Sequence, residues 1–185
     1  MPNLWLGPFQ ASTNLGKMTS MGITHVLCLR DKRESHLIYP RFPHDFTYMT
    51  LDISDNIDQN LITIFPTCCQ FIDSAIANGG SVLVHCNGGI SMSPAIVIGY
   101  LMSKLDWSYE MALTFVQGKR YCVAPMTFQI QLKEYEPIYL AQKMMVSQEP
   151  RIAKLKRQLE DSDYPTERLR RPAPSQERQE SDVVM

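Results

Sequence analysis

Ser81-Val82-Leu83-Val84-His85 is apolar at consecutive rather than alternate positions, and a glycine-containing loop leads from it into a second apolar run, Ser93 to Ser103, that is too long for a strand. A strand with no polar side must be covered on both faces, which is the situation of a central strand in a largely parallel sheet. Strand, tight loop and apolar helix in that order therefore exclude a helical bundle or a β-sandwich and select an α/β layered fold. The rest of the chain agrees. Asn3 to Leu6, Ile23 to Leu29 and Tyr48 to Ile53 read as short β-rich strands, the first stopped by Gly7-Pro8 and the third by Ser54-Asp55-Asn56. Ser12 to Met21 reads as a short helix. Between Leu61 and Ala77 apolar residues recur at helical spacing until Asn78-Gly79-Gly80 stops them. Ser108 to Arg120, with Glu110 in its first turn, and Thr127 to Met145 read as two more helices. The expected fold is α/β, a central sheet with helices on both faces.

The 185 residues are enough for one domain with a real core, placed at 1–146. From Ser147 onward charges of both signs are dense, Pro165, Pro172 and Pro174 interrupt the chain, and Tyr164 is the remaining aromatic. A disordered tail over 147–185 is expected, because such a segment buries too little apolar surface to offset its chain entropy. A short helix could form over Ile152 to Leu159. The formal net charge of -1 suggests neither a nucleic-acid partner nor a membrane surface. No run is long enough to span a bilayer, and the first residues do not read as a secretion signal. Cytoplasm, nucleus or both are the expected compartments. The five cysteines, Cys28, Cys68, Cys69, Cys86 and Cys122, form no C-x-x-C pair, so no metal is expected, and all but Cys86 read as reduced, mostly buried thiols.

Cys86 is different because of its place. It ends the valine-rich strand, and Asn87 to Ser91 then lead into the N-terminus of an apolar helix. Backbone N–H groups curling around a dianion, with the positive end of a helix dipole behind it, form a phosphate cradle. The same field favours a thiolate at Cys86, a nucleophile by residue type and position. Gly88 and Gly89 permit the unusual backbone angles, and Ser93 could donate a hydrogen bond to the Cys86 sulfur when it leaves.

His85-Cys86-Asn87-Gly88-Gly89-Ile90-Ser91-Met92-Ser93 resembles the H-C-x-x-G-x-x-R-S signature of dual-specificity protein phosphatases, with Met92 standing for the arginine. Leu4-Trp5-Leu6-Gly7-Pro8, Gly22-Ile23-Thr24-His25, Leu51-Asp52-Ile53-Ser54-Asp55-Asn56, Phe71-Ile72-Asp73 and Gln131 to Ala141 are similar to the serine/threonine/tyrosine-interacting (STYX) pseudophosphatases of that family. The resemblance covers Asn3 to Ala141. It implies a phosphatase fold with a central mixed sheet, no cofactor, a monomer, and partners that are phosphorylated signalling proteins such as MAP kinases, with an F-box substrate receptor as a further one. It also implies that Asp55 is the general acid. Those pseudophosphatases lack the cysteine and keep the arginine, so the defect here is inverted. The family's P-N-x-G-F stretch appears as Pro125-Met126-Thr127-Phe128, one residue shorter.

A guanidinium pairs two phosphate oxygens at once, and a methionine pairs none. Losing even one preorganised donor to a developing anion typically costs about 100- to 1000-fold in rate. Two readings follow. The chain is a catalytically impaired protein that binds phosphoproteins, with Cys86 vestigial; or it is a weak dual-specificity phosphatase working through Cys86 and Asp55. Arg30, Lys119 and Arg120 are the cations that could replace the missing one. Asp55 could equally serve as a turn former beside Asn56. The last residues, Asp182-Val183-Val184-Met185, could offer a free carboxylate to a capturing domain, and Lys154 to Arg157 form a basic cluster.

Overall fold

The structure is a computed structural model that describes residues 1–54, 56 and 58–160, with the backbone alone for 149–151 and 153–160. Asp55 and the tail beyond Glu160, with its Asp182 to Met185 ending, lie outside the described residues, as do the side chains of the Lys154 to Arg157 cluster. The chain divides into a compact unit, Met1–Met144, and a second one, Met145–Met185.

The first unit is built in the order β1 (Leu4–Pro8), α1 (Leu15–Ser20), β2 (His25–Arg30), β3 (Thr47–Asp52), α2 (Phe65–Ala77), β4 (Val82–Cys86), α3 (Met92–Leu105), α4 (Tyr109–Gln117) and the start of α5 (Met126–Glu160), with one-turn 3-10 helices at Phe9–Ser12 and Lys32–Glu34. The strand order is β1-β4-β2-β3, and every pairing is parallel. The expected mixed sheet is thus corrected: among the described residues no strand runs antiparallel. Every element expected from the sequence is present with ends shifted by a few residues, except α5. That helix continues to Glu160 through residues 147–160, which were expected to belong to the tail. The short helix allowed over Ile152 to Leu159 thus falls inside α5, where Ala153, Lys154, Leu155, Lys156, Arg157, Gln158 and Leu159 are all strong helix formers.

Side-chain alternation sorts the sheet residues into two cores. Leu27, Leu29, Val82 and Val84 face a large apolar cluster with Phe65, Ile72, Ile96, Ile98, Phe128 and Tyr135 from α2, α3 and α5. Val26 and Leu83 point the other way, onto Met18 of α1 with Ile23 and Phe46. Every residue of β4 is buried, which is why its sequence shows no polar face. At Gly99 of α3 an added Cβ would stand 2.5 Å from the Phe65 ring, so glycine is what lets α2 and α3 approach. This packing fixes the C-terminal end of β4 and the N-terminal end of α3, and the loop between them inherits its shape from both.

Candidate phosphate-binding site

Residues 87–91 link the last residue of β4, Cys86, to the first of α3, Met92. Residues 87–90 of the turn are held from outside. The Phe9 N–H donates to the Asn87 carbonyl at 2.9 Å and the Val123 N–H to the Ile90 carbonyl at 3.0 Å. The Arg120 guanidinium donates to the Gly88 carbonyl at 3.3 Å, and the Asn87 amide to the Glu34 carboxylate at 2.6 Å. Gly89 has φ of +66°, and an added Cβ would lie 2.6 Å from the Gly7 carbonyl group, so the loop backbone rests directly on the end of β1. Gly88 has no such constraint: its added Cβ would meet only Ile90, at an ordinary 3.5 Å. Of the two glycines expected to permit unusual backbone angles, Gly89 is the one with a positive φ. Val123 lies just before the altered Pro125 to Phe128 stretch, so that region still reaches the loop.

Ser91 is the N-cap of the 14-residue α3, so the turn leads directly into the positive end of that helix. Ser93 is fully buried, and its hydroxyl donates to the Cys86 sulfur at 3.1 Å, as the sequence led one to expect. Cys86 itself is only 2% exposed. His85 is buried with Nδ1 lacking a hydrogen-bond partner, and burial pushes its pKa down to about 4, so it is neutral at pH 7. All five cysteines are free thiols. Burial pushes Cys28 up to about 11 and Cys68 up to about 12, and raises Cys69 and Cys122, which disfavours a thiolate at these four.

Met92 lines a cleft of about 440 Å³ together with Asp31, Arg33, Glu34, Ser54 and Asn56. None of the three cations singled out from the sequence lines this cleft, although Arg120 touches the turn through the Gly88 carbonyl. Arg30 pairs with Asp52 at 2.9 Å and donates to the Ile38 carbonyl at 2.7 Å; Lys119 stands over the Phe115 ring; Arg120 grips the Leu6 and Gly88 carbonyls. Sequence reasoning missed Arg33, which does line the cleft. Its guanidinium forks onto Asp31 with bonds of 3.0 and 2.7 Å, and this partner holds the Asp31 carboxyl well below the usual carboxylate range. The D-x-R spacing directly after β2 was the available signal. Asp55 lies outside the described residues; its sequence neighbours Ser54 and Asn56 line the cleft. The segment that follows is braced by another missed residue, Gln131 of α5, which accepts from the Leu61 N–H and donates to the Gln59 carbonyl, while Gln59 accepts from the Ser54 N–H.

A buried cysteine at a strand end, a glycine turn held from outside and a helix N-terminus behind it define a cysteine-dependent phosphatase domain. The chain belongs to the dual-specificity phosphatase family: the family described as "Dual specificity phosphatase, catalytic domain" matches residues 4–138. Within it the chain is similar to serine/threonine/tyrosine-interacting protein A of Xenopus laevis, 42% identical over 88% of this chain and 80% of the frog protein. It is also similar to the mouse serine/threonine/tyrosine-interacting protein, 44% identical over 76% of this chain and 65% of the mouse one. The crystal structure of the human tyrosine phosphatase-like serine/threonine/tyrosine-interacting protein superposes with a TM-score of 0.74 at 41% identity, covering 76% of this chain and 95% of that one. The chain thus spans about two thirds of the mouse protein's length.

Proposed function

We propose that this chain is a catalytically impaired phosphatase-like domain that binds phosphorylated signalling proteins and modulates what is done to them. The observation that carries the reading is Met92 in the first turn of α3, at the place of the signature arginine, while Arg30, Lys119 and Arg120 point at other partners. A phosphate entering the cradle meets backbone N–H groups and a helix dipole but no guanidinium closing over two of its oxygens. Its charge is left uncompensated where bond breaking needs compensation most. Arg33 is the cation lining the cleft, and its fork is taken up by Asp31. Weak binding without efficient turnover is what such a site does. The relatives' name, serine/threonine/tyrosine-interacting protein, supports the same view. MAP kinases are the partners proposed first and an F-box receptor second, in the cytoplasm or nucleus.

A weakly active phosphatase is the second reading, favoured by the intact Ser93 to Cys86 hydrogen bond. Hydrolysis of an aryl phosphate by the unaltered chain, beside Cys86→Ser and Met92→Arg, separates the two. Under the first reading the unaltered chain and Cys86→Ser give the same baseline, and Met92→Arg gains at least about 100-fold. Turnover at an ordinary enzyme's pace by the unaltered chain, abolished in Cys86→Ser, overturns it.

A further inference from the structure

The outer edge of β1 is open. Among the described residues that strand pairs with β4 alone. The Val82 N–H donates to the Asn3 carbonyl at 2.8 Å, and alternate residues of a parallel strand turn their backbone groups to opposite sides. Asn3, Trp5 and Gly7 therefore face β4, while the N–H and C=O groups of Leu4 and Leu6 face outward. The side chain that reaches this edge is Arg120, whose guanidinium donates to the Leu6 carbonyl at 3.4 Å.

Alongside the edge runs a groove of about 490 Å³, walled by Val97 and Leu101 of α3 and by Phe115 and Val116 of α4. Trp5, 40% exposed, stands at its rim, an expensive residue to leave in water. The charged residues lining the groove are Lys119 and Arg120, both cations, and no carboxylate lines it. Outward-facing backbone groups, of which the Leu6 carbonyl already accepts from Arg120, together with apolar walls and positive charge at the Leu6 end, are the complement of an extended chain with apolar side chains and one acidic residue.

We propose that β1 and this groove accept a segment of another protein as an added strand, apolar at alternate positions and acidic where it passes Lys119 and Arg120. Leu4 and Leu6 supply the main-chain pairing, and the groove takes every second side chain. Because Arg120 also holds the Gly88 carbonyl at 3.3 Å, the occupied edge is joined directly to the phosphate loop. The proposal does not depend on whether the cleft beside Met92 binds phosphate.

The test uses the full chain and a fluorescent six-residue peptide, Asp-Val-Thr-Ile-Thr-Val, followed by anisotropy, with a version carrying Lys for Asp. Leu4→Pro removes an outward N–H that the ladder to β4 does not use, together with the Leu4 side chain that lines the groove, and Lys119→Glu reverses the charge at the exposed end of the groove. The expected result is binding of the Asp peptide, slowed amide exchange at Leu4 and Leu6, at least tenfold weaker binding in both variants, and a preference of Lys119→Glu for the Lys peptide. Should Leu4→Pro fail to fold, Lys119→Glu and the exchange data still decide. Equal affinity for the two peptides, unchanged exchange at Leu4 and Leu6, or absence of binding overturns the proposal. So does sedimentation showing that a second copy of the chain occupies the edge.

Discussion

The Ser93 hydroxyl donates to the Cys86 sulfur across the whole phosphate loop, at 3.1 Å and out of reach of solvent. In a two-step phosphatase this bond matters most when the sulfur departs from the phosphoenzyme carrying charge. A hydrogen bond to a charged group is worth about 1.5 to 3 kcal/mol, which is roughly ten- to 100-fold in rate. In a Met92→Arg background, Ser93→Ala should therefore slow the second step by that factor and leave a burst of released phenolate. Pre-steady-state kinetics on an aryl phosphate checks it, and a missing burst would place the slow step elsewhere.

Gly89 and Gly88 are neighbours with opposite tolerance. A side chain at Gly89 is strained by its φ of +66° and driven into the Gly7 carbonyl group, whereas one at Gly88 has room. Gly89→Ala should lose at least about 2 kcal/mol and Gly88→Ala no more than about 1, as read from urea midpoints.

His85 links stability to acidity. Its folded pKa of about 4 lies below its usual 6.5, so the stability it contributes is complete above pH 6.5 and drains away as the pH falls toward 4. Between pH 7 and 5 this amounts to about 2 kcal/mol. His25, also lowered by burial, acts in the same direction. Denaturation of the chain and of His85→Asn at the two pH values measures the difference, which should shrink markedly in the variant.

Asp31 competes with any anion for Arg33. The Arg33 side chain is 88% exposed, so the pair is worth little and the change expected is modest. Asp31→Asn should tighten vanadate or phosphopeptide binding a few-fold, and Arg33→Ala should weaken it. Calorimetry showing the reverse order would place the anion away from the cleft beside Met92.

Thiol labelling gives an independent check on the site. Burial raises Cys28 to about 11 and Cys68 to about 12, so neither should react with iodoacetamide at pH 8 until the chain is unfolded. Mass spectrometry of the folded and urea-treated protein distinguishes the two states.

The order of strands and helices was legible because burial leaves periodicity: the unbroken apolar run at Val82 to Val84 required cover on both faces, and it has it. The loop from His85 to Ser93 was legible because strand, glycine turn and helix start are contiguous, so neighbours in sequence remain neighbours in space. The length of α5 was misjudged where helix propensity and burial gave opposite answers. What the sequence left open was every relationship across the chain. Arg120 is a plausible replacement cation by residue type, yet its two terminal nitrogens donate to Leu6 and Gly88, 114 and 32 residues away. Arg33 reaches the cleft because Glu34 is tied to Asn87, and Gly89 is indispensable because Gly7 lies against it. A charge's effect depends on distance and on its competing partners, and only tertiary packing sets either.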